Sequence, residues 1–401
     1  MGSLTYAELD RAATRAARQL AALGVGEGDR VATTLPPGED FAALLHAVPR
    51  VGAALVPLGP GSSFDASVVV DAPLDGNEGD VELRVELDPS AVHTVILTSG
   101  TTGSPKAVEL TLANHTASAI ASAWHLGVAP DDRWLCPLPL FHVGGLAVLM
   151  RSALYGTAAL PQDGFDVEQV RRSISSGEAT LVSLVPTMLR RLREAGLERA
   201  PALRAALLGG GPIPLDLLEW AREAGLPVMA TYGMTETASQ VATAAPWEPA
   251  AAPLPGVRLR ISEEGEILVR GPMVARGVLS GDGWLHTGDL GELDESGLLS
   301  VYGRAKELII SGGENVAPAE VEAALLSHPD VSDAAVVGVS DEEWGEAVSA
   351  FVVLRDGAAA PDLAAWCRER LALFKVPKRI EFLAELPRNA AGKVVRDALR
   401  P

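Results

Sequence analysis

The chain runs to 401 residues, 48% of them hydrophobic, long enough for more than one core because single cores stop growing at about 250–300 residues. Its formal charge of −19 comes without the clustered Lys and Arg that a phosphate backbone demands, so nucleic acid is excluded as an expected partner. Only Cys136 and Cys367 are present, too few for a disulfide framework and without metal-ligand spacing, and no apolar run reaches the about 20 residues of a bilayer span, so a soluble cytoplasmic protein is expected.

Thr5, with Glu8 at capping-box spacing, opens a helix over "YAELDRAATRAARQLAALG", acidic and amphipathic where a signal peptide would be basic and then apolar. "DRVATTL" reads as a buried strand, and "GEDFAALLHAVPRVG" followed by "AALVPLG" repeats the theme as βαβ layering. Residues 60 to 90 are rich in Gly, Asp, Ser and Pro, with two short strands expected inside. From Val92 the alternation resumes through strand "TVILTSG", a helix near "LANHTASAIASAWHLG", strand "RWLCPLP" and a helix beginning in "GGLAVLMRSALYG". "TLVSLVPTMLRRLREAG", "LRAALLGGGPIPLDLLEWAREAG" and "PVMATYGMTETAS" follow, each a strand that meets a glycine or hydroxyl loop, and such strand ends are where open α/β sheets take ligands.

Residues 253–303 turn to short strands with tight turns, predicting a small antiparallel or barrel-like part. After "GRAKELIISGGENV" comes a compact tail with helix signals in "APAEVEAALLSH" and "DLAAWCRERLALF" and strand signals in "DAAVVGVS" and "EAVSAFVVLRDG". The expected class is α/β: a large N-terminal domain over residues 1–305 made of layered α/β subdomains and a β-barrel-like part, then a small α+β domain over 306–401.

Five segments carry chemistry. "TSGTTGSPKAVELT", from Thr98, places Ser99, Gly100, Thr101, Thr102 and Gly103 ahead of Lys106: backbone N–H groups, hydroxyls and a mobile cation, the ingredients of a phosphate cradle. Its GxxGxPK spacing is not the Walker GxxxxGK[ST], so an ordinary P-loop ATPase is a poor reading. "TYGMTETASQ" sets Tyr232, Gly233, Thr235 and Glu236 at a strand end, suited to stacking on a base and holding Mg²⁺. "GWLHTGDLG" puts Asp289 between glycines, where a carboxylate could accept two ribose hydroxyls; "GRAKELIISGGEN" offers Arg304 and the pair Gly312 and Gly313; "LPRNAAGKVVR" offers Lys393. Taken singly, each has a plainer reading as a turn or a solvated surface charge.

In this order the five segments resemble the adenylate-forming superfamily of acyl-CoA and aryl-CoA synthetases, luciferase and peptide-synthetase adenylation domains, from about Thr5 to Arg400. "PLFHVGGLAVLM", "LLGGGPIPLDLLE", "YGMTETASQV", "SGGENVAPAEVEAALLSHPDV" and "ELPRNAAGK" are similar, within it, to the 2-succinylbenzoate–CoA ligase family of menaquinone biosynthesis. That resemblance implies an enzyme that joins a carboxylate to ATP, releases pyrophosphate and passes the acyl group to coenzyme A. It implies that Thr98 to Gly103 and Lys106 hold the β and γ phosphates, Thr235 meets the α-phosphate, and Glu236 with Thr101 holds Mg²⁺. Tyr232 and Gly233 would receive adenine beside Gly209, Gly210 and Gly211, and Asp289 with Arg304 the ribose. Lys393 would bridge carboxylate and α-phosphate, Lys306 would be the hinge, and Gly312 and Gly313 would meet the coenzyme A arm.

The implied acid is aromatic with a second carboxylate, for which His142 and Gly210 line the pocket and Arg191 is favoured over Arg190 as the pairing cation, both arginines having the alternative of a solvated helix face. Ala107 stands where many relatives have Gly, Glu307 where Asp is frequent, and residues 58–92 look abbreviated, which leaves room for an altered subdomain surface or a homodimer contact. Rival readings are another acyl or aryl CoA ligase, an adenylation enzyme loading a carrier-protein thiol, and a nucleotide-binding regulator without chemistry. Retention of Lys106, Glu236, Asp289 and Lys393 speaks against the last.

Overall fold

The computed structural model describes residues 4–98, 106–355, 357–388 and 394–400. The chain divides into two compact units, one of Met1–Gly210, Ala221–Arg258 and Val269–Leu285, the other of Gly211–Trp220, Leu259–Leu268 and His286–Pro401.

In the first unit, α1 (Tyr6–Ala22) starts from the Thr5 and Glu8 capping box, which satisfies two otherwise orphaned backbone donors. It is followed by β1 (Arg30–Thr33), α2 (Glu39–Ala47), β2 (Ala54–Pro57), β3 (Val68–Val70), β4 (Val92–Thr98) and β5 (Lys106–Thr111), whose strands lie in the order β3-β1-β2-β4-β5. The first four strands of that order run parallel and β5 turns back antiparallel on β4. Every residue of β2 is buried, which is why its "ALVP" is continuously apolar rather than alternating.

A second sheet grows from α3 (Leu112–Leu126), β6 (Arg133–Cys136), α4 (Val143–Tyr155), β7 (Ala158–Pro161), α5 (Val167–Ser175), β8 (Leu181–Leu184), α6 (Pro186–Glu194), β9 (Ala205–Leu208), α7 (Leu215–Glu223), β10 (Val228–Met234), β11 (Ser239–Thr243) and β12 (Ala252–Pro253). Its order is β12-β11-β10-β9-β8-β6-β7, parallel from β10 to β7 and antiparallel at β11 and β12. Parallel neighbours end at the same edge, so the loops after β6, β8, β9 and β10 share one side of this sheet. Trp134 on β6 is fully buried and its indole N–H donates to Ser183 Oγ on β8 at 3.0 Å, joining hydrophobic burial to a satisfied donor.

The second unit takes in most of a four-stranded sheet, β13 (Arg258–Ile261), β14 (Glu266–Arg270), β15 (Leu285–Leu293) and β16 (Leu299–Arg304), in that order. Next come β17 (Ile309–Ser311), β18 (Glu314–Val316), α8 (Pro318–Leu326), β19 (Val331–Asp341), β20 (Gly345–Leu354), α9 (Leu363–Arg368) and β21 (Arg379–Leu383). Their sheet runs β18-β17-β20-β19, with β21 parallel to β20, over a core that includes Val321, Leu325, Val336, Val348 and Leu363. No helix among the described residues is long and apolar enough to cross a membrane.

Three details differ from the sequence expectations. Residues 60–90 hold one strand, β3, and not two; "VELRVEL" alternates but finds no strand to pair with, and Val85 stands 96% exposed. Lys106 does not sit in a loop but begins β5, a strand the sequence reading lacks. Strand β7 and helix α5 were also absent from that reading, although Asp166 accepts a capping bond from Gln169 N–H at the start of α5.

Candidate active site

Strand β4 ends at Thr98, and Lys106 is its register partner on β5; Thr98 Oγ1 donates to the Lys106 carbonyl at 3.1 Å. Ser99, Gly100, Thr101, Thr102 and Gly103 lie outside the described residues. The Lys106 side chain is exposed and has no hydrogen-bond or ion-pair partner among the described residues, as a cation reserved for an incoming anion would be.

After β6 the chain turns so that His142 precedes the first turn of α4, its ring 4.5 Å from that of Phe141. Burial holds its imidazole below the ordinary histidine range, so the ring is neutral at pH 7. Gly145 follows because a Cβ there would stand 2.4 Å from the Pro139 carbonyl oxygen. After β8, α6 carries both candidate arginines: Arg190 is buried, whereas Arg191 is exposed with its guanidinium 5.1 Å from the Phe165 ring.

Gly209, Gly210 and Gly211 follow β9. A Cβ on Gly209 would lie 2.4 Å from Thr231 Oγ1 on β10, and Gly210 has φ +81°, a left-handed backbone that favours glycine. Beyond β9, Tyr232 and Gly233 lie near the end of β10, which Met234 closes, and Thr235–Thr237 form a single 3₁₀ turn. A bulge at Tyr232 and Gly233 brings the returning β11 so close that a Cβ on Gly233 would be 2.1 Å from the Ser239 oxygen.

The turn is tied at several points. Thr237 Oγ1 accepts from Met234 N–H at 3.0 Å, and the Glu236 carbonyl accepts from Ala275 N–H at 2.9 Å. Ala238 and Ser239 then take φ +50° and +111°, values that cost non-glycine residues about 1–3 kcal/mol each and persist only where the surroundings over-determine them. The Glu236 carboxylate, half-buried, has no hydrogen-bond or ion-pair partner among the described residues, which fits a cation ligand.

In the second unit, Asp289 on β15 and Arg304 on β16 are register partners, and Arg304 Nε meets Asp289 Oδ1 at 2.8 Å. The carboxylate is thus oriented by the guanidinium, with Gly288 at φ +69° leading the chain into it. Lys306 lies in the 3₁₀ turn Ala305–Glu307. Gly312 and Gly313 make the turn between β17 and β18 with φ +62° and +83°, and a Cβ on Gly312 would touch the Trp344 ring at 3.0 Å.

Lys393 lies outside the described residues, but the chain on either side of its segment is fastened: Arg388 bridges Val394, and Val395 N–H donates to the Pro387 carbonyl at 2.8 Å. Arg396 then pairs with Glu322 and, at 3.4 Å, with Glu307 beside the candidate hinge.

The sequence reading missed Arg151. It lies in the apolar run of α4, is 3% exposed, and reaches Ser118 and Gln240. One charged residue among "VGGLAVLMRSALY" was the available signal.

The first unit offers a cation at β5 and a carboxylate after β10, each without a side-chain partner among the described residues, and the second unit an aspartate oriented by an arginine, groups of the kinds a nucleotide-activating enzyme uses. The comparisons with known proteins agree: the family described as AMP-binding enzyme matches residues 2–70 and 62–279, and its C-terminal domain matches residues 320–393. The chain belongs to the AMP-binding enzyme family. Among its relatives is the 2-succinylbenzoate–CoA ligase of Geobacillus kaustophilus (strain HTA426), 44% identical over 453 residues, covering 99% of this chain and 92% of that protein. The alignment is longer than this chain's 401 residues, and the family match breaks at residues 62–70, inside the stretch that looks abbreviated.

Among solved structures, o-succinylbenzoate CoA synthetase (MenE) from Bacillus subtilis in complex with the acyl-adenylate intermediate OSB-AMP superposes with a TM-score of 0.92 at 39% identity, covering 99% of this chain and 93% of that one. The same Bacillus subtilis enzyme with ATP and magnesium ion gives a TM-score of 0.90 at 39% identity, covering 99% and 94%.

Proposed function

We propose that the protein is a 2-succinylbenzoate–CoA ligase: it activates 2-succinylbenzoate with ATP and Mg²⁺, then forms the coenzyme A thioester, a step of menaquinone biosynthesis. The observation that carries this reading is end-to-end similarity, at 44% identity, to a ligase of that name. In the first half-reaction a carboxylate oxygen bonds to the α-phosphorus as the bond to the bridging oxygen breaks and pyrophosphate leaves. In the second, the coenzyme A sulfur loses its proton to solvent and bonds to the acyl carbon, and AMP leaves. Neither step needs a nucleophile from the chain; both need charge neutralisation and alignment.

The residues divide that work. Lys106, with Ser99 to Gly103, neutralises the departing pyrophosphate, a role supported by an ammonium without a partner among the described residues. Thr235 donates to the α-phosphate, and Glu236 holds the Mg²⁺ that arrives with ATP, supported by a carboxylate without a partner among the described residues. Tyr232 and Gly233 pack adenine beside Gly209 to Gly211. Asp289, pre-oriented by Arg304, accepts from the ribose hydroxyls. Neutral His142 and Gly210 border the reacting carboxyl, and Arg191 pairs with the second carboxylate of the acid. Lys393 bridges carboxylate and α-phosphate; the small domain, from Lys306 onward, swings about that hinge to exchange Lys393 for Gly312 and Gly313 on the coenzyme A arm. The buried, unpaired Cys136 and Cys367 support a cytoplasmic site of action.

The test is thioester formation by the purified protein with ATP and Mg²⁺, offering 2-succinylbenzoate beside benzoate, a medium-chain fatty acid and 4-coumarate. Strong preference for 2-succinylbenzoate is expected. Turnover of another acid, or AMP release without a thioester, would overturn the substrate or the acceptor. Lys393→Ala should slow adenylation about 10²-fold while ATP binding, read by calorimetry, stays unchanged. A protein that binds ATP yet has no adenylation rate to lose would be a sensor.

A further inference from the structure

Among the described residues, Arg151 is a buried cation without an anion. The residue is 3% exposed, and among the described residues no carboxylate pairs with it and its Nε has no hydrogen-bond partner. What it does meet is neutral: Nη1 donates to Gln240 Oε1 at 3.1 Å, Nη2 donates to Ser118 Oγ at 3.0 Å, and the Trp134 ring lies 5.8 Å from Cζ. A charge taken out of water for so few bonds is a poor device for stability, and replacing such groups by well-packed apolar ones is often neutral or stabilising.

The bonds lead to one place. Ser118 Oγ, accepting from Arg151, donates to the Ala238 carbonyl at 2.9 Å, and Gln240 sits on β11 as the register partner of Gly233, its own amide donating to Thr243 Oγ1 at 3.0 Å. Arg151 therefore grips both sides of the Ala238 and Ser239 backbone, the left-handed pair directly after Thr235 and Glu236. On the other side, Asn114 of the same α3 face donates to the Pro272 and Val274 carbonyls at 2.9 and 3.1 Å, next to Ala275, which holds the Glu236 carbonyl.

We propose that Arg151 is a positioning residue for adenylation: through Ser118 and Gln240 it holds the strained 238–239 backbone in the form that sets Thr235 and Glu236 toward the nucleotide phosphates and Mg²⁺. The inference rests on the roles given above to Thr235 and Glu236. Loss of the clamp lets the left-handed pair relax and moves the turn, so the chemistry that needs Glu236 slows while the thioester step does not.

The test compares Arg151→Met, Arg151→Lys, Ser118→Ala and Glu236→Gln in two half-reactions: ATP–pyrophosphate exchange with 2-succinylbenzoate, and thioester formation from supplied acyl adenylate and coenzyme A. Arg151→Met should lower exchange about 10–100-fold and raise the Mg²⁺ concentration for half-maximal rate severalfold, with its thermal midpoint equal to or above the parent's and its thioester step within twofold. Arg151→Lys should recover part of the exchange rate. Ser118→Ala should lose about fivefold, and adding it to Arg151→Met should cost nothing more, because the two act in series. An Arg151→Met exchange rate within twofold of the parent, or equal losses in both half-reactions, overturns the proposal. Should Arg151→Met fail to fold, Ser118→Ala at the parental exchange rate overturns it equally. If Glu236→Gln leaves exchange intact, the assignment of Glu236 fails first; if Glu236→Gln is slow and Arg151→Met is not, the clamp alone fails.

Discussion

Gly233→Ala should destabilise the protein by about 3 kcal/mol and slow adenylation about 10²- to 10³-fold. The added Cβ would stand 2.1 Å from the Ser239 oxygen and 2.6 Å from the Gln240 Cα, and both are backbone atoms that no side-chain rotation moves aside. Relief requires opening the β10 and β11 pairing at the bulge, directly before Thr235 and Glu236. Urea unfolding gives the first number and pyrophosphate exchange the second. Gly26→Ala, where a Cβ would meet nothing within 4 Å, is the matched control. A Gly233→Ala protein with the parental urea midpoint would show that the bulge rearranges without cost.

Acid should unfold the protein earlier than its carboxylates alone would dictate. His93 and His115 are 4% and 2% exposed, their rings 5.9 Å apart at the centroids. Burial is the main cause that holds His93 at about 3 and His115 at about 4; each ring's neighbours add to it, His115 and His46 for the first and Arg151 for the second. His115 Nε2 bonds Thr94 Oγ1 at 2.8 Å, whereas His93 Nε2 has no partner among the described residues.

Both rings are neutral in the folded protein and titrate near 6.5 when unfolded, so below that value the unfolded chain binds more protons. The stability they contribute is complete above pH 6.5 and is lost as pH falls, down to about 4 for His115 and about 3 for His93. Each buried ring adds a slope of about 1.4 kcal/mol per pH unit, about 3 for the pair. Urea midpoints at pH 7, 6, 5.5 and 5 would trace the slope, to which His46, held at about 4 by burial, adds its own share, and His93→Gln should remove about half of what the pair contributes. A flat profile over that range would mean that the rings reach water.

How much of this was legible beforehand depends on whether a residue's partners are near it in sequence. The Thr5 and Glu8 cap, the buried strands and the glycine and hydroxyl loops after β4, β9 and β10 declare themselves within a few residues, so fold class and candidate ligands could be read directly. Strand β5 could not: "KAVELT" is half exposed, and only antiparallel pairing with β4 makes it a strand. The reverse holds for "VELRVEL", whose alternation states what a strand would bury without supplying a neighbour. Arg151 was hidden for the same reason, since its partners Ser118 and Gln240 lie 33 and 89 residues away. By contrast, α5 was missed without such cause, because its Asp166 cap and amphipathic spacing are local.

The fastening of residues 394–400 has a practical consequence. Arg388 and Val394 close the base of the segment that carries Lys393, Arg388 reaches Asp333, Arg396 is held by Glu322 and Glu307, and Leu399 is 7% exposed against Leu386 and Val337. These ties are an anchor rope made fast to the body of the second unit. A nick after residue 394 would strip away the Val395, Arg396 and Leu399 ties that follow the Lys393 segment, while the core around Val321, Leu325 and Val336 keeps its packing.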